Sequence, residues 1–316
     1  MQFVLHLDDR TVDGLVDPVS AERAVDDAFA SWGRGVAATT QRVRAAGSGG
    51  AMASAMAAVV PPYCGGKLYA THAGRFTFLN ALFDIECELL ATLDGDAVTL
   101  LRTAAASSLA IRHLAPPHAT VATIVGTGHQ AWPHIEMLLR TLPHLSELRI
   151  CGRTPTAADA LATRVQSDGV TTSTSGDAGT AVDGAQVVVT VTSAREPLFP
   201  AAAVADDALI CAVGATKYDR AEIEPELVGR CSAVVCDDVT GSRTECGDLL
   251  RAAAVHCFDW ADAIELHAIA AGNVVFRRSV DAPVLFETQG VALQDVAVCA
   301  LAYERYRQQT IQEADR

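Results

Sequence analysis

Between residues 121 and 237 the apolar positions fall in short, near-continuous runs that alternate with stretches of helical spacing. Val121–Val125, Glu147–Cys151, Gln186–Thr192, Leu209–Val213 and Ala233–Asp237 are too short for core helices and rich in β-branched or apolar types, so each predicts a strand buried on both faces. Helices are predicted between them over His129–Thr141, Thr156–Gln166, Gly179–Asp183 and Ala221–Val228. Strands and helices in alternation predict a parallel sheet covered by helices on both faces. The N-terminal third differs. Met1–Leu7 reads as a short strand, and a helix capped by Asp17 or Ser20 runs through Trp32 to Gly33. Val36–Arg44 and Met52–Val60 then read as strands around the Gly47–Gly50 turn. Leu68–Thr71, Phe76–Phe83 and Leu89–Leu93 continue as extended segments, and Asp94-Gly95-Asp96 reads as a hairpin turn. The result is an antiparallel, mixed α/β unit. An alanine-rich helix, Thr103–Leu114, is stopped by Pro116-Pro117, and the chain closes with a strand at Val284–Phe286 and an amphipathic helix over Ala292–Gln309.

Composition narrows the function classes. A net charge of −14 over 316 residues disfavours nucleic acid and anionic membrane surfaces as partners, and no apolar run is long enough to span a bilayer. Nine cysteines are scattered without a C-x-x-C pair, and no signal peptide precedes them. They predict buried thiols in a reducing, cytoplasmic compartment, with neither a disulfide frame nor a metal site.

The chemistry enters at V-A-T-I-V-G-T-G-H-Q-A, Val121 to Ala131. A strand, a glycine turn and a helix start are what a dinucleotide pyrophosphate requires. Gly126 makes the turn, Gly128 lets the backbone approach, and Thr127, His129 and Gln130 complete a stretch whose N–H groups face the anion. Ala131 takes the third small position. The next strand ends Cys151-Gly152-Arg153-Thr154, without the acid that would bond the ribose hydroxyls. Gly152 is expected to leave space there, and Arg153 with the Thr154 hydroxyl can hold a 2′-phosphate, which favours NADPH over NADH. The other reading makes Arg153 a solvated loop charge and Thr154 a helix cap.

Several blocks, in order and at matching spacing, resemble the ornithine cyclodeaminase/mu-crystallin family. They are L-R-T-A-A-A-S (Leu101–Ser107), V-G-T-G-H-Q-A, L-R-I-C-G-R-T, T-V-T-S-A-R-E-P-L-F (Thr190–Phe199), A-V-G-A (Ala212–Ala215), E-I-E-P-E-L (Glu222–Leu227), E-C-G-D (Glu245–Asp248) and F-E-T-Q-G-V-A-L-Q-D (Phe286–Asp295). The resemblance implies a Rossmann doubly wound sheet over 115–290. It also implies a mixed α/β substrate-binding and dimerisation domain from 1–114 and 291–316, and a homodimer. It places the grip on a substrate carboxylate at Arg42, Lys67 and Arg102, with Lys67 as proton donor and Arg42 preferred to Arg44. The nicotinamide side is expected near Thr190, Thr192, Val213 and Thr288. Members work through an imine of an α-amino acid, and the small-molecule partner implied is a carboxylate-bearing imine or amino acid. Cyclodeaminases carry an aspartate where this chain has Thr216, which cannot hold an ammonium by charge. Reduction of a preformed imine with NADPH is the expected reaction. An amino-acid dehydrogenase, a reductive aminating enzyme, a cyclodeaminase and a non-catalytic NADPH-dependent ligand binder stay open at this point. Three blocks depart from the family: F-K-S is Phe286-Glu287-Thr288, Met-Pro-Ala is Met56-Ala57-Ala58, and the substrate-loop stretch is Ala73-Gly74-Arg75-Phe76.

Overall fold

The computed structural model describes residues 4–165 and 169–314. The start of the predicted first strand (residues 1–3) and the end of the predicted helix at Gln166 lie outside them. The chain divides into two compact units, one of residues 1–106, 270–273 and 291–316, the other of residues 107–269 and 274–290.

In chain order the first unit contains β1 (Leu5–Leu7), α1 (Asp9–Leu15), α2 (Pro18–Gly33), β2 (Ala38–Thr39), β3 (Val43–Ala46), β4 (Met52–Val60), β5 (Tyr63–His72), β6 (Arg75–Asp84) and β7 (Leu89–Asp94). It shares α3 (Asp96–Leu114) with the second unit. The second unit continues with β8 (Val121–Val125), α4 (Ala131–Thr141), β9 (Glu147–Cys151), α5 (Pro155–Arg164), β10 (Thr171–Ser175), α6 (Ala178–Val182), β11 (Val187–Thr190) and β12 (Leu209–Ala212). After these come α7 (Pro225–Arg230), β13 (Ala233–Cys236), α8 (Val239–Glu245), α9 (Gly247–Ala254), β14 (Ala263–Glu265), α10 (Leu266–Ala270) and β15 (Val284–Glu287), and α11 (Ala292–Ala314) returns to the first unit.

The first sheet runs β1-β7-β6-β5-β4-β2, with β3 also on β4; β1 pairs parallel with β7 and the other pairs are antiparallel. Residues alternate across its faces. One row, Met56, Lys67 and Asn80, is in register across β4, β5 and β6 and is buried. The opposite face exposes Val43, Val59, Leu68 and Leu79. The side chains of Val59, Leu68, Leu79 and Phe83 line an open apolar groove of about 600 Å³ on that face.

Asp94-Gly95-Asp96 is not a hairpin. Thr99 donates from both its N–H (3.0 Å) and its hydroxyl (2.5 Å) to the Gly95 carbonyl, which starts α3 at Asp96, a full turn and more before the predicted Thr103. The predicted Val36–Arg44 strand breaks at residues 40–42, between β2 and β3.

The second sheet is parallel throughout, in the order β10-β9-β8-β11-β12-β15-β13-β14. β11, β12 and β15 are buried along their whole length, the cause of the unbroken apolar runs. The strand order reverses between β8 and β11, the switch point outside which such sheets bind ligands. The predicted helix at Ala221 starts only at Pro225, because Asp248 Oδ1 accepts the N–H groups of Glu222 (2.8 Å) and Ile223 (2.9 Å) and holds them extended. The predicted helix at His129 starts at Ala131, since Gly128 to Gln130 form the turn itself. All nine cysteines are unpaired. The expectation that they are buried fails at Cys87, which is exposed at φ +72° in the β6–β7 connection, where Asp84 Oδ1 accepts the Glu86 and Glu88 N–H groups.

Candidate functional site

The cationic residues sit on the covered face of the first sheet. Lys67, 2% exposed, donates from Nζ to Thr99 Oγ1 (2.5 Å) and to Asp295 Oδ1 (3.1 Å), with the Phe78 ring centroid 4.3 Å away. Burial pulls the Lys67 ammonium down to about 8, against the attraction of Asp295, and the Arg102 and Arg42 charges lower it further. Arg102, 8% exposed, donates from Nη1 to Gln294 Oε1 (2.9 Å), and its Nε lies 3.6 Å from Asp295 Oδ1. Arg42 is half-buried, with Nη2 3.8 Å from the Met56 sulfur, whereas Arg44 is exposed. Two cations, Lys67 and Arg102, therefore meet one carboxylate, and the Arg42 charge acts on Lys67.

Sequence reasoning assigned no role to Asp295, Gln294 or Thr99, which hold Lys67 and Arg102, nor to Asn80, which is buried in the same register row as Lys67 with no partner for its Oδ1 among the described residues. The signal for the first two was Gln294-Asp295 interrupting an otherwise apolar stretch, Val291 to Val298.

In the second unit Gly126 leaves β8 at φ +122°, and a Cβ there would meet the Val191 carbonyl oxygen at 2.8 Å, so the turn requires glycine. Around Gly128 there is open space to at least 4 Å. The backbone N–H groups of Thr127, Gly128 and His129 have no acceptor among the described residues. A phosphate fits this cradle, because it supplies acceptors to free N–H groups at a helix start. Gln130 is half-buried, and its carbonyl accepts from His134 Nδ1 (2.8 Å). His134 is itself buried and bonded to Ser107 (3.1 Å).

The space expected beside Gly152 is already taken: a Cβ on Gly152 would lie 2.4 Å from Thr127 Cγ2, so its missing side chain seats Thr127 rather than a ligand. Arg153 is exposed without an ion pair among the described residues, and Thr154 precedes α5 with its hydroxyl unused as a cap.

The residues expected at the nicotinamide side divide. Thr190 is fully buried and donates to Glu222 Oε2 (2.8 Å), and Thr288 is buried and donates to Asp237 Oδ2 (2.5 Å). Thr192 is half-buried, its N–H on Glu222 Oε1 (2.7 Å), while Val213 is 7% exposed at the end of β12. Glu222 also accepts the Gly214 N–H (2.7 Å) and so ties the ends of β11 and β12 together. Burial raises its carboxyl, an effect these donors oppose.

Ketimine reductase mu-crystallin of Mus musculus is 33% identical over 218 residues, 69% of this chain and 66% of that protein. The Delta(1)-pyrroline-2-carboxylate/Delta(1)-piperideine-2-carboxylate reductase of Azospirillum brasilense is 36% identical over 217 residues, 68% of this chain and 65% of that protein. The matched region thus spans just under two thirds of either relative. Among solved structures, an archaeal alanine dehydrogenase dimer with bound NAD superposes with a TM-score of 0.91 at 26% identity, over 97% of both chains. Residues 9–310 match the profile of the ornithine cyclodeaminase/mu-crystallin family, and this chain belongs to that family.

Proposed function

We propose that this protein reduces the C=N bond of a small imino acid, a ketimine or cyclic imine, to the amino acid with NADPH. The observation that carries the reading is the buried pair of Lys67 and Arg102, two positive charges on the one carboxylate of Asp295. An enclosed site with excess positive charge selects a substrate carboxylate. Arg42 and Arg102 hold that carboxylate, and Asp295 and Gln294 fix Arg102 for the task. Lys67, protonated in most molecules at pH 7 given a value near 8, supplies the proton to the imine nitrogen directly or through a water. Asn80 Oδ1 offers the same site a hydrogen-bond acceptor. NADPH, when bound, supplies the hydride for the carbon.

The turn from Gly126 to Gln130 takes the pyrophosphate, and Arg153 with Thr154 takes the 2′-phosphate. Exposure of Arg153, with no ion pair among the described residues, and a Thr154 hydroxyl that makes no cap bond support NADPH over NADH. Thr192 and Val213 lie toward the nicotinamide. The hydroxyls of Thr190 and Thr288 act from behind, through Glu222 and Asp237. Thr216 in place of an aspartate supports reduction over cyclising deamination. The apolar outward face of the first sheet supports a homodimer, and nine unpaired thiols support a cytoplasmic setting. No helix among the described residues is long and apolar enough to cross a membrane.

The test is oxidation of NADPH with pyrroline-2-carboxylate and piperideine-2-carboxylate, each run with NADH for comparison. Turnover that falls above pH 8 is expected. Absence of turnover together with ammonia release from ornithine overturns the reading.

A further inference from the structure

We propose a buried divalent-cation site of the zinc class in the parallel-sheet unit, held by Cys246, Asp248 and Glu287. The Cys246 sulfur, one carboxylate oxygen of Asp248 and one of Glu287 lie within 4.8 Å of one another, and all three residues are fully buried. Among the described residues, both oxygens of Glu287 and Oδ2 of Asp248 lack a hydrogen bond of good geometry. Buried carboxylate oxygens without donors are rare and costly, so a group that satisfies three of them at one point is called for.

Apart from the Cys246 thiol, which bears on Glu287 and is itself one of the three, no donor among the described residues meets these oxygens. Asp248 Oδ1 is occupied by the N–H groups of Glu222 and Ile223, which orients Oδ2 away from them. Arg251, one turn further along α9, is spent on Glu196 (3.0 Å) and on the Arg195 carbonyl (2.7 Å).

The donor set is chemically coherent. One thiolate and two carboxylates are ordinary zinc ligands, and together with a divalent ion they leave a residual charge of about −1. Metal–ligand distances of about 2.0–2.3 Å set ligand–ligand edges near 3.3–3.8 Å in a tetrahedron, so the three atoms close on an ion with movements of about 1 Å. Cys236, buried and in register with Glu287 on β13, adds a soft donor beside it. The ion would join the end of β15 to the start of α9. Its role is structural, and full burial means that it is loaded as the chain folds.

The experiment uses the full chain, unfolded in denaturant and refolded with zinc or with cobalt, then desalted. About one zinc per chain is expected by elemental analysis, together with a thiolate-to-cobalt charge-transfer band in the cobalt form. Cys246→Ser should abolish that band. Glu287→Lys should refold without metal, because its ammonium takes the place of the ion. Refolding in chelator should lower the melting temperature of the wild type and leave that of Glu287→Lys unchanged. The site is refuted if the refolded wild type holds less than about a tenth of an equivalent of either ion. It is refuted equally if uptake and the cobalt band survive in Cys246→Ser. Should Glu287→Lys fail to refold, the Cys246→Ser comparison alone decides.

Discussion

The Lys67–Asp295 pair allows a prediction in which size and sign both follow from geometry. Asp295→Asn keeps the shape of the side chain and removes its charge. At 3.1 Å and an effective dielectric near 20, the lost attraction is at most about 5 kcal/mol. Opposite charges at this range move a pKa by about 1–3 units, which takes Lys67 from about 8 to between roughly 5 and 7. In the variant at neutral pH the folded protein therefore carries Lys67 largely neutral. Shedding the proton caps the penalty: at pH 7 it forfeits only the gain from protonating a group of pKa about 8, about 1.4 kcal/mol, plus a smaller loss at Arg102.

The pH dependence fixes the sign. In the wild type the folded value of Lys67 is depressed from 10.5 to about 8, so between these values the unfolded chain binds more protons at this residue and stability rises with pH. Below pH 8 both states are charged and this slope vanishes. In Asp295→Asn the rising window extends down to about pH 6, so the gap between the two proteins widens by up to about 1.4 kcal/mol per unit as pH falls from 8. Urea unfolding at pH 6, 7, 8 and 9 reads this directly. With imine substrate, kcat/KM at pH 7 should fall by about 10²-fold or more and its optimum should move to lower pH, because the proton donor is empty. A penalty equal at pH 6 and pH 9 would refute the reasoning, since it would mean that Lys67 does not change charge in this range.

Further outcomes follow from other places in the fold. Arg153→Ala should weaken NADPH binding about 10–100-fold and leave NADH binding within about twofold, as measured by nucleotide fluorescence titration; equal losses would make Arg153 a solvated charge. Gly128→Ala meets open space, so it should keep its melting temperature and lose at least tenfold in dinucleotide affinity. Gly126→Ala, at φ +122° and facing the Val191 carbonyl, should be destabilised by about 2 kcal/mol or more. Leu68→Arg, placed on the exposed apolar face, should turn a dimer into a monomer in sedimentation velocity without unfolding it.

What could be read from sequence depended on how each segment is buried. Val121–Val125 appears with the predicted bounds because a strand covered on both faces is nearly all apolar, and Glu147–Cys151 because Leu148, Ile150 and Cys151 are buried while Glu147 and Arg149 are only half-buried. Thr171–Ser175 is an equally regular strand, yet it lies at the sheet edge as Thr-Thr-Ser-Thr-Ser and leaves no hydrophobic trace. In α1 only Val12 and Leu15 are buried, too few for a helical period, and the first turns of α3 were hidden behind an Asp-Gly-Asp string that a hairpin would also use. The site divides in the same way. Arg102 was legible as a cation within the Leu101–Ser107 block, and Lys67 only through what the resemblance implied. Asp295, 228 positions from Lys67, is a counter-charge supplied by another element, and only folding brings it there. Gly152 was read as room for a ligand because nothing local could reveal that Thr127 fills the gap.

The exposed thiol at the β6–β7 connection has a practical corollary. Every other cysteine is buried or half-buried, so a bulky maleimide dye should add once, at Cys87, to the protein as nature made it. A fluorophore fixed in that short, carboxylate-braced loop would give the first of the two units its own optical reporter.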